Sequence, residues 1–485
     1  MDLKKITLLV LLAGCTVGPD YRRPQTPVQD EFRETPAGWK EAQPRDEITR
    51  GQWWTLFGDA QLDALIAKID VSNQTLAAAE AQYRQALAAV SISRAALFPS
   101  VDANASVTRS RSPGSALGGT TAGRTLTTYS GNLSATWEAD LWGRVRRDIE
   151  SSRAAAQASA GDLGAARLSL QAQLATSYFQ LRALDAQKRL FDEAAAALRK
   201  SLELTQNRYK VGVAAKSDVV QADAQLKSIL VQAVDLGVQR AQLEHAIAVL
   251  TGVPPAQLTV APLEPYGVEV PQIPPGLPSA LLERRPDVAA AERRVAASNA
   301  QIGVAKSAFF PQLTLTGSYG SRALDTASLL TAPTRFWSIG PAIAQSIFDA
   351  GLRRAQTEQA IAAYDATVAN YRQVALTAFQ DVEDNLAALR ILEEEARSEE
   401  EAVQAARLSV ELTLNQYKAG TVSYLNVVTV TTALLNEERN AVGIRARRLA
   451  AAVALIRALG GGWDDSVAKA LSQRRDTDVR DHAAQ

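Results

Sequence analysis

No glycine or proline interrupts the chain from Leu352 to Ala419. A helix over that run is roughly 100 Å long at 1.5 Å per residue, far beyond the helices of a compact domain. The plan that contains it is written twice. Leu204-Thr205-Gln206-Asn207-Arg208-Tyr209-Lys210-Val211-Gly212 returns as Leu412-Thr413-Leu414-Asn415-Gln416-Tyr417-Lys418-Ala419-Gly420, and Val219-Val220 returns as Val427-Val428. Upstream, Phe98-Pro99 matches Phe310-Pro311, and Gly143 with Arg146 matches Gly351 with Arg354. Landmarks kept in one order are the mark of an internal duplication. The copies are placed at 60–252 and 279–459, separated by a Pro-rich linker over 253–278.

Each copy reads as helix, strand, polar loop, strand, very long helix, turn and helix. In the first copy Leu163, Leu170, Leu184, Phe191 and Leu198 recur at multiples of seven, with Leu174, Leu181, Leu202 and Tyr209 on the neighbouring seam. Heptads with alanines between the larger residues specify close, supercoiled packing. The turns between the long helices are expected at 208–214 and 417–423.

Strands are expected at about 99–111, 129–139, 311–320 and 337–347. Val101, Ala103, Ala105 and Val107 alternate with Asp102, Asn104, Ser106 and Thr108, and the other three segments alternate similarly. Period-two runs of about ten residues suit transmembrane β-strands, apolar outside and polar inside. They suit equally two soluble hairpins with one wet face. If the strands span, four cannot close, because open edges in lipid leave backbone groups unsatisfied. Three copies would supply twelve, an even number with a polar lumen. Pro341 removes one ladder donor, so a bulge or strand boundary is expected there.

Lys4 and Lys5 precede the apolar run Ile6 to Leu12, a pattern that reads as a secretory signal over 1–14 and is too short to span a bilayer. Leu12-Ala13-Gly14-Cys15 resembles the bacterial lipobox, which implies a covalent lipid on Cys15 at the head of an extended segment, 15–59. Thr16 follows, not the Asp that holds such lipoproteins at the inner membrane. Residues 460–485 are expected to form a partly disordered tail.

Composition narrows the chemistry. Lys and Arg total 52 against 52 Asp and Glu, so there is no basic excess for nucleic acid. One Cys excludes an intramolecular disulfide, and with only His245 and His482 beside it a usual zinc site has too few ligands. No Gly-rich phosphate loop or metal-ligand spacing stands out, so no enzyme, metal or cofactor is expected. The only Met is Met1, which gives no support for a Met-lined copper path.

Cys15 with Gly18-Pro19-Asp20-Tyr21-Arg22-Arg23-Pro24, Trp53-Trp54, Phe57-Gly58-Asp59, Leu141-Trp142-Gly143-Arg144, Arg285-Pro286-Asp287 with Ala291-Glu292, Phe310-Pro311 and both Tyr-x-x-Gly turns resemble the outer-membrane efflux factors, TolC/OprM-like, in their lipoprotein branch. The likeness runs over essentially the whole mature chain. It implies a mainly α fold with transmembrane β: a trimer whose twelve-stranded barrel, four strands per protomer, is continued by a long α-helical barrel. The linker would lie in an equatorial ring. The implied activity is a passive exit duct at the outer membrane of a Gram-negative bacterium, joined to a periplasmic adaptor and an inner-membrane, proton-driven transporter. The competing reading is a lipid-anchored periplasmic coiled-coil scaffold without a pore. Cargo, whether drugs, metals or polypeptides, is left open.

The same resemblance assigns the two tips, Arg208, Tyr209, Lys210 and Gly212 with Gln416, Tyr417, Lys418 and Gly420, to the closed periplasmic end and adaptor docking. Read from the residues alone, the glycines are helix C-caps and the tyrosines seam-packing side chains. Relatives often carry Leu, then Asp four residues on, then Arg, as pore-pinching rings. This chain keeps Leu425 but has Thr429 and Thr432 in the charged places, leaving Leu425 as an apolar constriction and Asp218 as a candidate acidic lining. The Glu-rich run 393–401 reads as a solvated helix face.

Overall fold

The computed structural model describes residues 16–26, 32–34, 52–111, 125–262, 269–271, 273 and 284–461. The signal segment 1–14, Cys15, His482 and the tail beyond 461 lie outside the described residues. Seven α-helices and four strands are described, besides three short 3-10 turns: α1 Ala60–Ser72, α2 Gln74–Ala95, β1 Ser100–Arg111, β2 Thr125–Ala139, α3 Arg144–Lys210, α4 Lys216–Leu250, α5 Pro286–Ser307, β3 Gln312–Ala323, β4 Arg335–Ala344, α6 Leu352–Ala419 and α7 Tyr424–Ala458. The uninterrupted run is one helix of 68 residues, and its counterpart α3 has 67 despite Gly161 and Gly164. No described helix is long and apolar enough to cross a membrane.

The chain divides into two compact units. The first, residues 1–25, 82–159 and 290–371, holds a four-stranded antiparallel sheet in the order β1-β2-β3-β4. Strand limits differ from the expected ones by a few residues. The larger difference is at Pro341, which sits within β4 opposite Leu315, with adjacent pairs in register on both sides. The expected bulge or boundary is absent because β4 is an edge strand in this chain, where a lost ladder donor is tolerated.

In the same unit the segment after Cys15 is pinned as a strap. Val17 N–H donates to Trp142 O (3.0 Å), Arg147 donates to Val17 O (3.2 Å) and Asp20 (3.0 Å), and Asn299 donates to Pro19 O (3.0 Å). Tyr21 donates to Glu292, and Arg23 to the Tyr371 hydroxyl (3.1 Å). Gly18 has φ +104°, and a Cβ there would lie 2.5 Å from Gly303 Cα. The close approach of two backbones therefore requires glycine.

The second unit, residues 26–81, 160–289 and 372–485, is built from helices. In its core Phe57 packs on Phe179 of α3 at 4.9 Å and Trp53 donates to Gln171 of α3 (3.3 Å), with Trp53, Phe57 and Phe179 all at most 5% exposed. Asp59 caps α1 through Gln61 N–H (2.9 Å) and Leu62 N–H (3.1 Å), and accepts from Tyr178 OH (2.6 Å). Arg182 and Arg240 both pair with Asp185 and donate to Ala261 O (2.8 Å) and Val260 O (2.7 Å), tying the start of the linker to α3 and α4. Arg285 pairs with Asp287 (2.6 Å) and Asp381 (3.0 Å) and donates to Ala458 O (3.3 Å), joining the start of α5 to α6 and the end of α7. The tryptophan pair and the Arg-Pro-Asp motif thus act as internal ties.

Candidate functional site

Two features carry functional chemistry, one in each unit. The first is the sheet, whose two faces follow from strand alternation and an unbroken register. Directly paired residues share a face. Val101, Ala135, Gly317 and Ile339 form one row across the four strands, and Ala103, Leu133, Tyr319 and Trp337 the next. That face continues with Val107, Tyr129, Trp137, Leu315 and Ile343. The opposite face carries Asp102, Asn104, Ser106, Ser130, Asn132, Ser134, Thr316, Ser318 and Ser338, linked by hydrogen bonds such as Ser106 to Ser130 and Ser318 to Ser338, both 2.8 Å. Trp337 is 74% and Ile339 70% exposed, so among the described residues nothing covers that part of the apolar face. Apolar-out, polar-in strands of this length match a membrane barrel wall.

The second feature is the pair of helix tips in the helical unit. Each ends in the same Schellman motif: Val213 N–H donates to Arg208 O (2.9 Å) and Gly212 N–H to Tyr209 O (2.9 Å), as Thr421 does to Gln416 O (3.0 Å) and Gly420 to Tyr417 O (3.0 Å). Gly212 and Gly420 both have φ +79°, a left-handed conformation that disfavours any other residue. Lys210 and Lys418, in the last turns, oppose the negative helix ends.

The tips differ in what their tyrosines do. Tyr209 is 45% exposed, whereas Tyr417 is 4% exposed. Tyr417 packs edge-on against Tyr424 at 5.5 Å, hydrogen-bonds Thr205 Oγ1 (3.2 Å), and lies under the Arg208 guanidinium at 4.9 Å. Arg208 Nη1 also donates to Tyr417 O (3.2 Å) and Lys418 O (3.4 Å), two carbonyls at the end of α6. Ser201 donates to Tyr424 OH (3.2 Å). Burial outweighs the lowering effect of the Ser201 hydrogen bond and, with a smaller contribution from Tyr417, raises the Tyr424 pKa. Gln416, the counterpart of Arg208, makes no matching reach. The structure therefore brings Arg208, Tyr417, Lys418 and Gly420 together and leaves Tyr209 and Lys210 outward.

The remaining candidates separate. Leu425 is 54% exposed and shares an open stripe of α7 with Thr429, which bonds back to Leu425 O (2.9 Å). Thr432 accepts from Gln225 Nε2 of α4 (3.1 Å), so its hydroxyl is used between helices. Asp218 sits in the first turn of α4, where a negative charge complements the helix N-terminus. The glutamate run is mostly exposed, with Glu395 paired to Arg447 (2.6 Å); only Glu399 is partly covered, and burial followed by a hydrogen bond to Glu437 raises its pKa. Among the described residues no cluster of His, Cys, Asp or Glu could hold a metal ion.

Sequence reasoning missed Thr205, Ser201, Gln225 and Glu437. Only the heptad spacing of Thr205 before the tip hinted at an inward side chain.

Comparison with known proteins adds three findings. The family model described as outer membrane efflux protein matches residues 65–253 and 277–461. The chain is 33% identical over 466 residues to the probable efflux pump outer membrane protein TtgC of Pseudomonas putida, covering 96% of each, and 32% identical to the pyoverdine export outer membrane protein OpmQ of Pseudomonas aeruginosa, covering 96% of this chain and 98% of the relative. Among solved structures, the outer-membrane channel OprN superposes with a TM-score of 0.84 at 32% identity, over 93% of this chain and all of that one.

Proposed function

The chain belongs to the outer membrane efflux protein family, and from that premise we propose that three copies close into a passive exit duct across the outer membrane. The observation that carries the reading is the sheet: one face apolar and bare, one face polar, and two unpaired edges, β1 and β4. In lipid each unsatisfied backbone group on those edges would cost several kcal/mol. Pairing β1 of one copy with β4 of the next satisfies them, and three copies give a twelve-stranded wall around a polar lumen.

The long helices continue the duct, and cargo reaches it from an inner-membrane, proton-driven transporter through a periplasmic adaptor. The adaptor docks on the first tip, Arg208, Tyr209, Lys210 and Gly212, of which Tyr209 and Lys210 face outward, with Gln416, Tyr417, Lys418 and Gly420 forming the second contact. Tyr417 serves there by setting the tip's shape, since its ring is covered. Leu425, with Thr429 beside it, forms an apolar constriction, and Asp218 lines the approach. Thr429 and Thr432 supply no charged ring, so the pore is not gated by ion pairs at those positions. Cys15 carries the lipid, and the strap from Val17 to Arg23 fixes that anchor to the sheet-bearing unit. The duct performs no catalysis and takes no cofactor; cargo choice rests with the transporter.

The test is direct. Purified mature protein should run as a detergent-stable trimer and conduct ions in planar bilayers. A monomer or dimer without conductance would remove the duct reading.

A further inference from the structure

Beyond the apolar band, the same face of the sheet changes character at the strand ends farthest from the helices. Arg109 and Arg111 of β1 pair with Thr127 and Thr125 of β2, and Arg335 of β4 pairs with Ser321 of β3. Register parity puts all three on the face of Val101, Trp137 and Ile339. All three are exposed, and none makes an ion pair or side-chain hydrogen bond to a described residue. That face has no acidic residue on any of the four strands: Asp102 and Glu138 lie on the polar face, near the strand ends that join the helices. Arg322 is the contrast. It sits on the polar face, over the Phe336 ring at 5.5 Å.

Three guanidiniums without a partner among the described residues, directly above Val107, Tyr129, Tyr319 and Trp337, form a cationic rim on a lipid-facing aromatic band. At a membrane surface, side chains in such a place extend from the apolar zone to the headgroups. Guanidinium binds phosphate oxygens bidentately, which suits densely phosphorylated headgroups better than singly charged ones. The helices leave the opposite strand ends, so in the duct proposed above the arginines face the outer leaflet. We propose that Arg109, Arg111 and Arg335 form a docking rim for the phosphorylated glycolipid of that leaflet. This inference rests on the duct reading for its orientation. It continues the membrane-facing surface into a headgroup-selective one and commits to the lipid rather than to free phosphate.

The experiment uses the purified trimer in nonionic detergent, titrated with diphosphorylated lipid A, phosphatidylglycerol or inorganic phosphate, with thermal stability as the readout. At about 1 kcal/mol per arginine near a charged surface, each single Arg→Gln change should weaken lipid A binding about fivefold, and the triple R109Q/R111Q/R335Q on the order of 100-fold. The triple Arg→Lys variant, which keeps the charge and loses the bidentate fork, should bind lipid A more weakly than the parent and more tightly than the triple Gln variant, and R322Q should match the parent. The rim is refuted if the triple Gln variant binds lipid A as the parent does, or if phosphatidylglycerol or inorganic phosphate stabilises the parent equally at equal concentration. Conductance of the parent in a neutral bilayer without lipid A reports on the duct separately, so a failure of either reading is distinguishable.

Discussion

The Arg208 guanidinium lies 4.9 Å from the Tyr417 ring centre while its Nη1 donates to the Tyr417 carbonyl at 3.2 Å. One side chain from the first copy of the repeat thereby caps and covers the helix end of the second. Removing it should loosen the second tip more than the first. Arg208→Ala is expected to cost about 1–2 kcal/mol through the lost cation–π contact and carbonyl bonds. Hydrogen exchange at residues 414–424 should rise. Tyr417→Phe, which keeps the ring and loses only the Thr205 bond, should cost about 1 kcal/mol, whereas Tyr209→Phe should be near neutral. Equal effects at the two tyrosines would contradict the asymmetry seen here.

The Glu399 pKa is raised by burial and by Glu437, with Glu395 held by Arg447 nearby. A carboxyl whose folded pKa is raised contributes stability that is fully present below the ordinary carboxylate range and lost as pH rises through the folded value. Thermal melts should show packing of α6 against α7 tightening on mild acidification. Glu399→Gln should flatten that part of the profile; an unchanged pH dependence in this variant would show that another group is responsible.

Asp287 runs the other way. Burial pushes its carboxyl up, but the Arg285 guanidinium and the Val288 N–H outweigh that and hold the pKa below the usual range. Its contribution is present above the ordinary carboxylate pKa and lost as pH falls through the lowered one. Arg285→Ala strands Asp287 and Asp381 and leaves Ala458 O without this donor, so a loss of about 3–5 kcal/mol is expected, read from denaturant midpoints.

Ala350 is the only described non-glycine residue with positive φ, at +53°. Its exposed backbone pays a steric penalty that glycine lacks, so Ala350→Gly should stabilise by up to about 1 kcal/mol. A lower melting temperature would show that the turn before α6 draws more from the methyl group than from backbone freedom.

The two faces of the sheet make opposite predictions. Ile339→Arg places a charge on the lipid side and should cost about 2–4 kcal/mol if it lies near mid-bilayer. Ser338→Arg, one residue away on the polar face, should leave folding intact and change single-channel conductance. If Ser338→Arg were the more damaging to assembly, the faces would be reversed.

Much of this was determined by the sequence alone, because periodicity is local. The unbroken run from Leu352 specified a helix of that length, and strict alternation from Val101 to Val107 specified which residues share a sheet face. The paired Tyr-x-x-Gly turns placed both tips, since a left-handed cap needs glycine whatever surrounds it. Strand ends and the passage of β4 through Pro341 were not legible, because whether a missing donor matters depends on which strand lies alongside. The duplication also misleads in one respect. Tyr209 and Tyr417 occupy matched positions, yet only the tertiary structure buries one of them, because Ala222, Tyr424 and Val427 pack around Tyr417 and Arg208 reaches across it, while Gln416 makes no such reach. Glu399 likewise reads as a solvated charge until α7 brings Glu437 against it. Repetition in sequence sets equivalent backbones; the unlike neighbours that packing brings to each copy decide which side chains are covered, paired or left free to act.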